Sequence, residues 1–179
     1  MGFFLLSGIQ APIAPTAPTL PSYPVTLTAY NAVPEQTDES PFETASGIYS
    51  NPAIVAARSQ DLSKELPFGT IVELDIEGPA APDNSCGYNI VKPIIGYRVI
   101  ADTMNARFTD RIDVLFDTES NYKLADGRTK NAGMILGICK GVTARVVGFI
   151  NLNKTSRIPK TQAELSALVN GTSKTLALK

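Results

Sequence analysis

The sequence predicts an all-β fold, a small closed barrel of about six short strands. Short runs that alternate apolar and polar residues recur through the middle of the chain. Pro and Gly, thirteen of each in 179 residues, cluster between those runs. Helical spacing is confined to Thr118–Ala125 and the C-terminal tail. Many short strands with turn signals between them and few helices argue for a closed barrel.

The strands follow in order. Val25–Asn31 (VTLTAYN) alternates and reads as half-buried. Ala53–Ala57 (AIVAA) is a short apolar run. Gly69–Ile76 (GTIVELDI) alternates again, with Ile71 and Glu73 on one face. Ile90–Ile100 is apolar but broken by Pro93 and Gly96, and Arg111–Phe116 and Val142–Leu152 complete the set. Gly133–Gly141 (GMILGICKG) holds neither a P-loop nor a dinucleotide fingerprint and reads as a buried segment before the last strand.

The ends divide the chain into residues 1–24, a barrel over 25–152 and a tail over 153–179. Gly2–Ile9 (GFFLLSGI) is apolar but far shorter than the ~20 residues of a membrane helix, and no positive charge precedes it. It reads either as a shortened export signal, as an apolar plug for a partner, or as a tail packed on the barrel. Pro12, Pro15, Pro18, Pro21 and Pro24 recur every third residue, the repeat of a polyproline II rod, and read as a stiff spacer. At the other end Thr161-Gln-Ala-Glu164 is a capping box. Leu165, Leu168 and Val169 follow at helical spacing and Gly171 is placed to close a helix from Thr161 to about Asn170. Its apolar side must cover the barrel or meet another subunit, so residues 1–24 and 161–179 are the expected assembly contacts.

Composition removes whole classes of chemistry. Histidine is absent, so there is no Ser-His-Asp triad, no Cys-His pair and no His-ligated zinc. Two cysteines, Cys86 and Cys139, are too few for a four-thiolate site; they form either one disulfide or two buried thiols. A net charge of −1 lacks the basic footprint of a nucleic-acid binder. Asp117–Asn121 begins like a calcium loop, but Tyr122 stands where the tight turn needs Gly. No metal or cofactor is expected, and acid–base work falls to carboxylates, Lys, Tyr or Cys.

Three segments carry candidate chemistry. Thr26–Tyr30 (TLTAY) is followed by Gln36-Thr-Asp38 and the turn Thr44-Ala-Ser-Gly47; Leu66-Pro-Phe-Gly-Thr70 is a second turn; Asp102-Thr-Met-Asn-Ala-Arg107 leads into Arg111-Ile-Asp113. In this order, over about Val25–Val147, they resemble the three-aspartate (3D) domain. That domain belongs to the double-psi β-barrel group with the membrane-bound lytic transglycosylase A barrel, rare-lipoprotein-A-like proteins and expansins. Asp102 and Asp113 lie eleven positions apart, the family's interval. Where many relatives have Gly-Gly after Asp-Thr, this chain has Met104-Asn105-Ala106-Arg107. Asp61 is the nearest match to the family's earlier aspartate, with a different spacing to Leu66-Pro67.

The resemblance implies a six-stranded double-psi β-barrel acting on cell-wall glycan outside the cytoplasm: secreted, periplasmic, on the cell surface or on a virion. It implies lytic-transglycosylase-like cleavage of the MurNAc–GlcNAc bond of peptidoglycan, with Asp113 as acid and base and Asp102 orienting it. Tyr30, Thr44, Asn105 and Arg107 are then the substrate-binding candidates. A glycosidic bond needs a proton donor, and an ordinary Asp, with a pKa near ~3.9, is ionised at neutral pH. The site therefore requires burial or a second carboxylate beside Asp113. A guanidinium from Arg107 or Arg111 would do the opposite. The alternative expectation is a barrel without turnover that binds glycan or serves as a structural component of a virion or surface assembly.

Overall fold

The computed structural model describes residues 20–37, 40–76, 86–153 and 158–177, the side chains of 172–177 excepted. Six strands close the barrel: β1 (Ser22–Asn31), β2 (Val55–Arg58), β3 (Thr70–Asp75), β4 (Tyr97–Thr103), β5 (Arg111–Phe116) and β8 (Cys139–Phe149). Their order around it is β1-β5-β2-β4-β3-β8. β1 runs parallel to β5 and β2 parallel to β4, while the other contacts are antiparallel. The expected six-stranded barrel is therefore present. Between β5 and β8 lie a hairpin, β6 (Asn121–Lys123) and β7 (Thr129–Asn131), and helix α2 (Ala132–Leu136). α1 (Tyr88–Ile95) precedes β4, and α3 (Gln162–Ala177) follows the barrel.

Strand alternation sorts the side chains into two apolar clusters. Leu27, Ala56, Val72, Ile100, Ile112 and Val114 meet inside the barrel. Val55, Ala57, Ile71, Val99 and Leu115 face outward on neighbouring strands and belong to a second cluster that includes Leu165 and Val169 of α3. Burying a leucine such as Leu165 contributes roughly 2 kcal/mol. Polar contacts set the helix in place: the Gln162 amide donates to the Ala53 and Tyr97 carbonyls at 2.6 and 2.7 Å. The α3 start has its capping box, with Glu164 N–H donating to Thr161 Oγ1 and Lys160 N–H to Glu164 Oε2. Gly171 does not close it, since the helix continues to Ala177.

Arg98 on β4 is fully buried beneath this outer layer. Its guanidinium donates to the carbonyls of Ile94, Ile95, Pro52 and Leu115 at 2.6–3.1 Å. Two of these carbonyls end α1, where a cation suits the helix dipole. The side chain thus ties α1, the loop before β2 and β5 to one point. The turn Leu66–Thr70 is equally specific. Gly69 has φ +94°, and a Cβ there would meet the Ile150 carbonyl at 2.1 Å. Its N–H and C=O bond Ile100 and Ile150, joining β4 to the end of β8.

Several expectations are corrected. β1 begins at Ser22, so Pro24 is a strand residue opposite Thr143 rather than the last ring of a rod. Pro12, Pro15, Pro18 and the apolar Gly2–Ile9 lie outside the described residues. The first half of Ile90–Ile100 belongs to helix α1, with Pro93 inside it, and the strand starts at Tyr97. Thr118–Ala125 is not helical; it holds β6 and its turns. Gly133–Gly141 contains α2, and Met134 and Ile138 are exposed rather than buried. Cys86 and Cys139 form a disulfide that links the segment before α1 to the start of β8. Among the described residues no helix is long and apolar enough to cross a membrane.

Candidate functional site

Strand register assembles the site. Asp113 on β5 is paired with Thr28 on β1 and, across its other edge, with Ala57 on β2. Ala57 is paired in turn with Asp102 on β4. Directly paired residues share a face of the sheet. The four strands therefore present one row: Thr28, Asp113, Ala57, Asp102. With neighbouring strands ~4.8 Å apart, the two aspartates stand about two strand widths apart, ~10 Å between Cα atoms. Only a methyl group lies between them. A register shift between Ala56 and Ala57 places Ala101 as an extra residue in β4 and turns Asp102 onto this face.

Asp113, Ala57 and Asp102 of this row line a groove of ≈ 720 Å³. Asp102, Asp113, Tyr30, Thr44, Asn105 and Arg107 all line it, as do Ala57, Met104, Phe108, Glu35 and Glu43. Its lining comes further from residues 35–37, 40–41 and 43–45, Ser50, and the loop after β4, Thr103 to Phe108. Met104 is tucked into the outer cluster at 7% exposure. Its N–H donates to the Arg58 carbonyl at 2.9 Å. Met104 is thus packed away, while Asn105 and Arg107 of the same loop line the groove.

The two carboxylates are held differently. Asp102 accepts three hydrogen bonds: from Tyr30 Oη at 2.8 Å, and from the Ala45 and Thr103 N–H groups at 2.9 Å each. Ala45 is delivered by the Thr44–Gly47 turn, whose Ser46 N–H also donates to the Ala101 carbonyl at 3.1 Å. Asp113 is only partly exposed and accepts one hydrogen bond, from the Thr28 hydroxyl to Oδ1. Among the described residues nothing bonds its Oδ2. Burial pushes the Asp113 carboxyl above the usual carboxylate range. Thr28 and the Arg111 cation pull it back, and the charge of Asp102 pushes it up again. Burial dominates, so the proton is held more tightly than in an ordinary Asp.

No guanidinium forms an ion pair with Asp113 among the described residues. Arg107 and Arg111 instead lie over the ring of Phe108, at 4.8 and 4.6 Å from its centroid. Burial and the charges of Asp102 and Asp113 drive the Tyr30 hydroxyl far above its ordinary value. Tyr30 therefore acts as a donor and not as a base. These residues supply one carboxyl with a raised pKa, a second carboxylate fixed by three donors, and no histidine. Among the described residues no cluster of metal-ligating side chains occurs.

Not every sequence candidate is equally placed. The Thr44 hydroxyl is engaged within its own turn, bonding Ser46 Oγ and the Ile48 carbonyl at 3.0 Å. Its contribution to the groove is the position of Ala45. Asn105 Oδ1 accepts the Arg107 N–H at 3.1 Å and shapes the opposite lip. Asp61 is outside the groove and accepts the Asp110 N–H at 2.9 Å. Hydrogen bonds led by that from Ser59 hold the Asp61 carboxyl below its ordinary value, as befits a turn residue. Thr28 and Ala57 are the residues that sequence reasoning missed. Alternation places Thr28 on the face of Tyr30, but only pairing across strands sets either beside Asp113. The chain matches no protein-family model and has no significant match among curated proteins.

Proposed function

We propose that the groove binds cell-wall glycan and that Asp113 cleaves it as a lytic transglycosylase does. One observation carries this: a partly buried Asp113 faces the groove that Asp102 also lines, with a raised pKa and, among the described residues, no ion pair to a guanidinium. In this reading Asp113 gives its Oδ2 proton to the glycosidic oxygen as the bond to the anomeric carbon breaks. The same carboxylate then takes the proton of the sugar's C6 hydroxyl as that oxygen attacks the anomeric carbon. A 1,6-anhydro ring results and water is not consumed. Thr28 fixes Oδ1 and so presents Oδ2 to the substrate. Asp102, held by three donors, supplies the negative charge that favours the protonated form of its neighbour and the developing positive charge at the anomeric carbon.

The disulfide supports a place outside the cytoplasm, where such bridges form and persist. Incubation with peptidoglycan tests the reading. Anhydro-muropeptides should appear, and Asp113→Asn should slow their release by about 10²–10⁴-fold. Unchanged release from the variant, or hydrolysed rather than anhydro products, would refute it. A second reading, glycan binding without turnover, is favoured by Phe42 and Tyr49. Their rings are exposed and nearly parallel, 6.5 Å apart, on the loop that walls the groove. Glycan capture with no product would select it.

A further inference from the structure

We propose that Arg107 and Arg111, gathered on the ring of Phe108, form an anion subsite at the lip of the groove, so that the bound sugar is recognised through a carboxylate it carries. This rests on the reading of the groove as a glycan site. Arg107 and Phe108 line the groove, and Arg111 reaches the same ring from the first position of β5.

Several other cations of the barrel are already engaged. Lys92 pairs with Asp75, Arg145 with Glu73, and the buried Arg58 and Arg98 donate to backbone carbonyls. Among the described residues neither Arg107 nor Arg111 is paired with a carboxylate. Arg111 Nε is moreover buried with no hydrogen-bond partner. A buried Nε without a partner, on a side chain that is itself half-buried, is rare in a folded protein unless a ligand completes it. A guanidinium also suits a carboxylate better than a neutral hydroxyl, since its planar donors match both oxygens.

Charge on the groove walls gives the ligand a direction. Glu35 and Glu43 also line the groove, on the segment that follows β1. An acidic substituent would be repelled there and drawn to the arginine lip. Seated at that lip, it would also offset the pull of Arg111 on Asp113. The chemical class is thus a carboxylate-bearing amino sugar polymer, with the acid close to the scissile bond, in preference to a neutral one of the same backbone.

Calorimetric titration with two oligosaccharides of equal length tests this. One is a neutral chitin oligosaccharide; the other is a muramyl glycan stripped of peptide, which adds lactyl carboxylates to the same backbone. The full chain should bind the acidic ligand about tenfold more tightly, the scale of one charge-assisted hydrogen bond. Arg107→Gln, an exposed substitution, should collapse that ratio towards one by weakening the acidic ligand more than the neutral one. Arg107→Lys should restore part of it. Arg111→Gln should act in the same direction. Equal affinity for both ligands in the unaltered protein, or a ratio that survives both Gln variants, overturns the subsite and leaves the glycan groove standing. Binding of neither ligand overturns both.

Discussion

Breaking the Cys86–Cys139 bridge gives a prediction whose size follows from the chain path. The two residues are 53 positions apart, and the loop they close contains α1, β4, β5, the β6–β7 hairpin and α2. Loop-closure entropy for that length corresponds to about 4 kcal/mol at 25 °C. For a domain of this size each kcal/mol lowers Tm by roughly 2–4 °C, so a drop of about 8–16 °C is expected. Cys86→Ala/Cys139→Ala is the cleaner double variant, because Cys139 is fully buried against Leu27 and a serine hydroxyl there would lack partners. Thermal unfolding followed by circular dichroism measures the change, with and without reductant. Reductant should lower the parent to near the variant and leave the variant unmoved. A Tm shift under about 3 °C, or equal sensitivity of both proteins to reductant, would show that the bridge does not constrain the unfolded chain.

Three further outcomes follow from the site. Asp113→Asn should stabilise the protein as pH rises. The native carboxyl is raised above its unfolded value, so its contribution is fully favourable below about pH 3.9 and is lost as pH climbs through the folded value. The variant, with no charge to bury, gains on the parent by about 1.4 kcal/mol per pKa unit, measured by urea unfolding from pH 3 to 8; a pH-independent difference would contradict this. Tyr30→Phe removes one of three donors to Asp102 and should cost about 1 kcal/mol of stability and roughly tenfold in kcat with KM little changed. Ala57→Leu places a branched side chain between the two aspartates and should abolish glycan binding while costing about 1–3 kcal/mol of stability, read by calorimetry and thermal melts together.

How much of this was legible in the sequence depended on how local the signal was. Arg111–Phe116, a compact run that ends in three apolar residues, emerged at its predicted bounds. α1 did not, because Pro93 argued against a helix and a short apolar run has no clear period. The β6–β7 hairpin carried its own signal, Asp126-Gly127 with Gly127 at φ +84°, which helical spacing nearby obscured. For the site, Asp102, Asp113 and Tyr30 were readable as types in a pattern, and they share one groove. The small Ala57 between the acids and the hydroxyl of Thr28 depend on which strands become neighbours. That is a non-local property, set by a barrel in which β2 and β5 meet across a long separation in sequence.

The ionisation of Asp113 is the point on which the catalytic account turns. Carbon-13 NMR of the labelled Asp113 carboxyl, titrated beside kcat/KM for anhydro-muropeptide release, measures it directly. The account predicts a midpoint above the ordinary aspartate range that coincides with the basic limb of the rate profile. A carboxyl already ionised at or below pH 4, or a rate profile that ignores its titration, would contradict it.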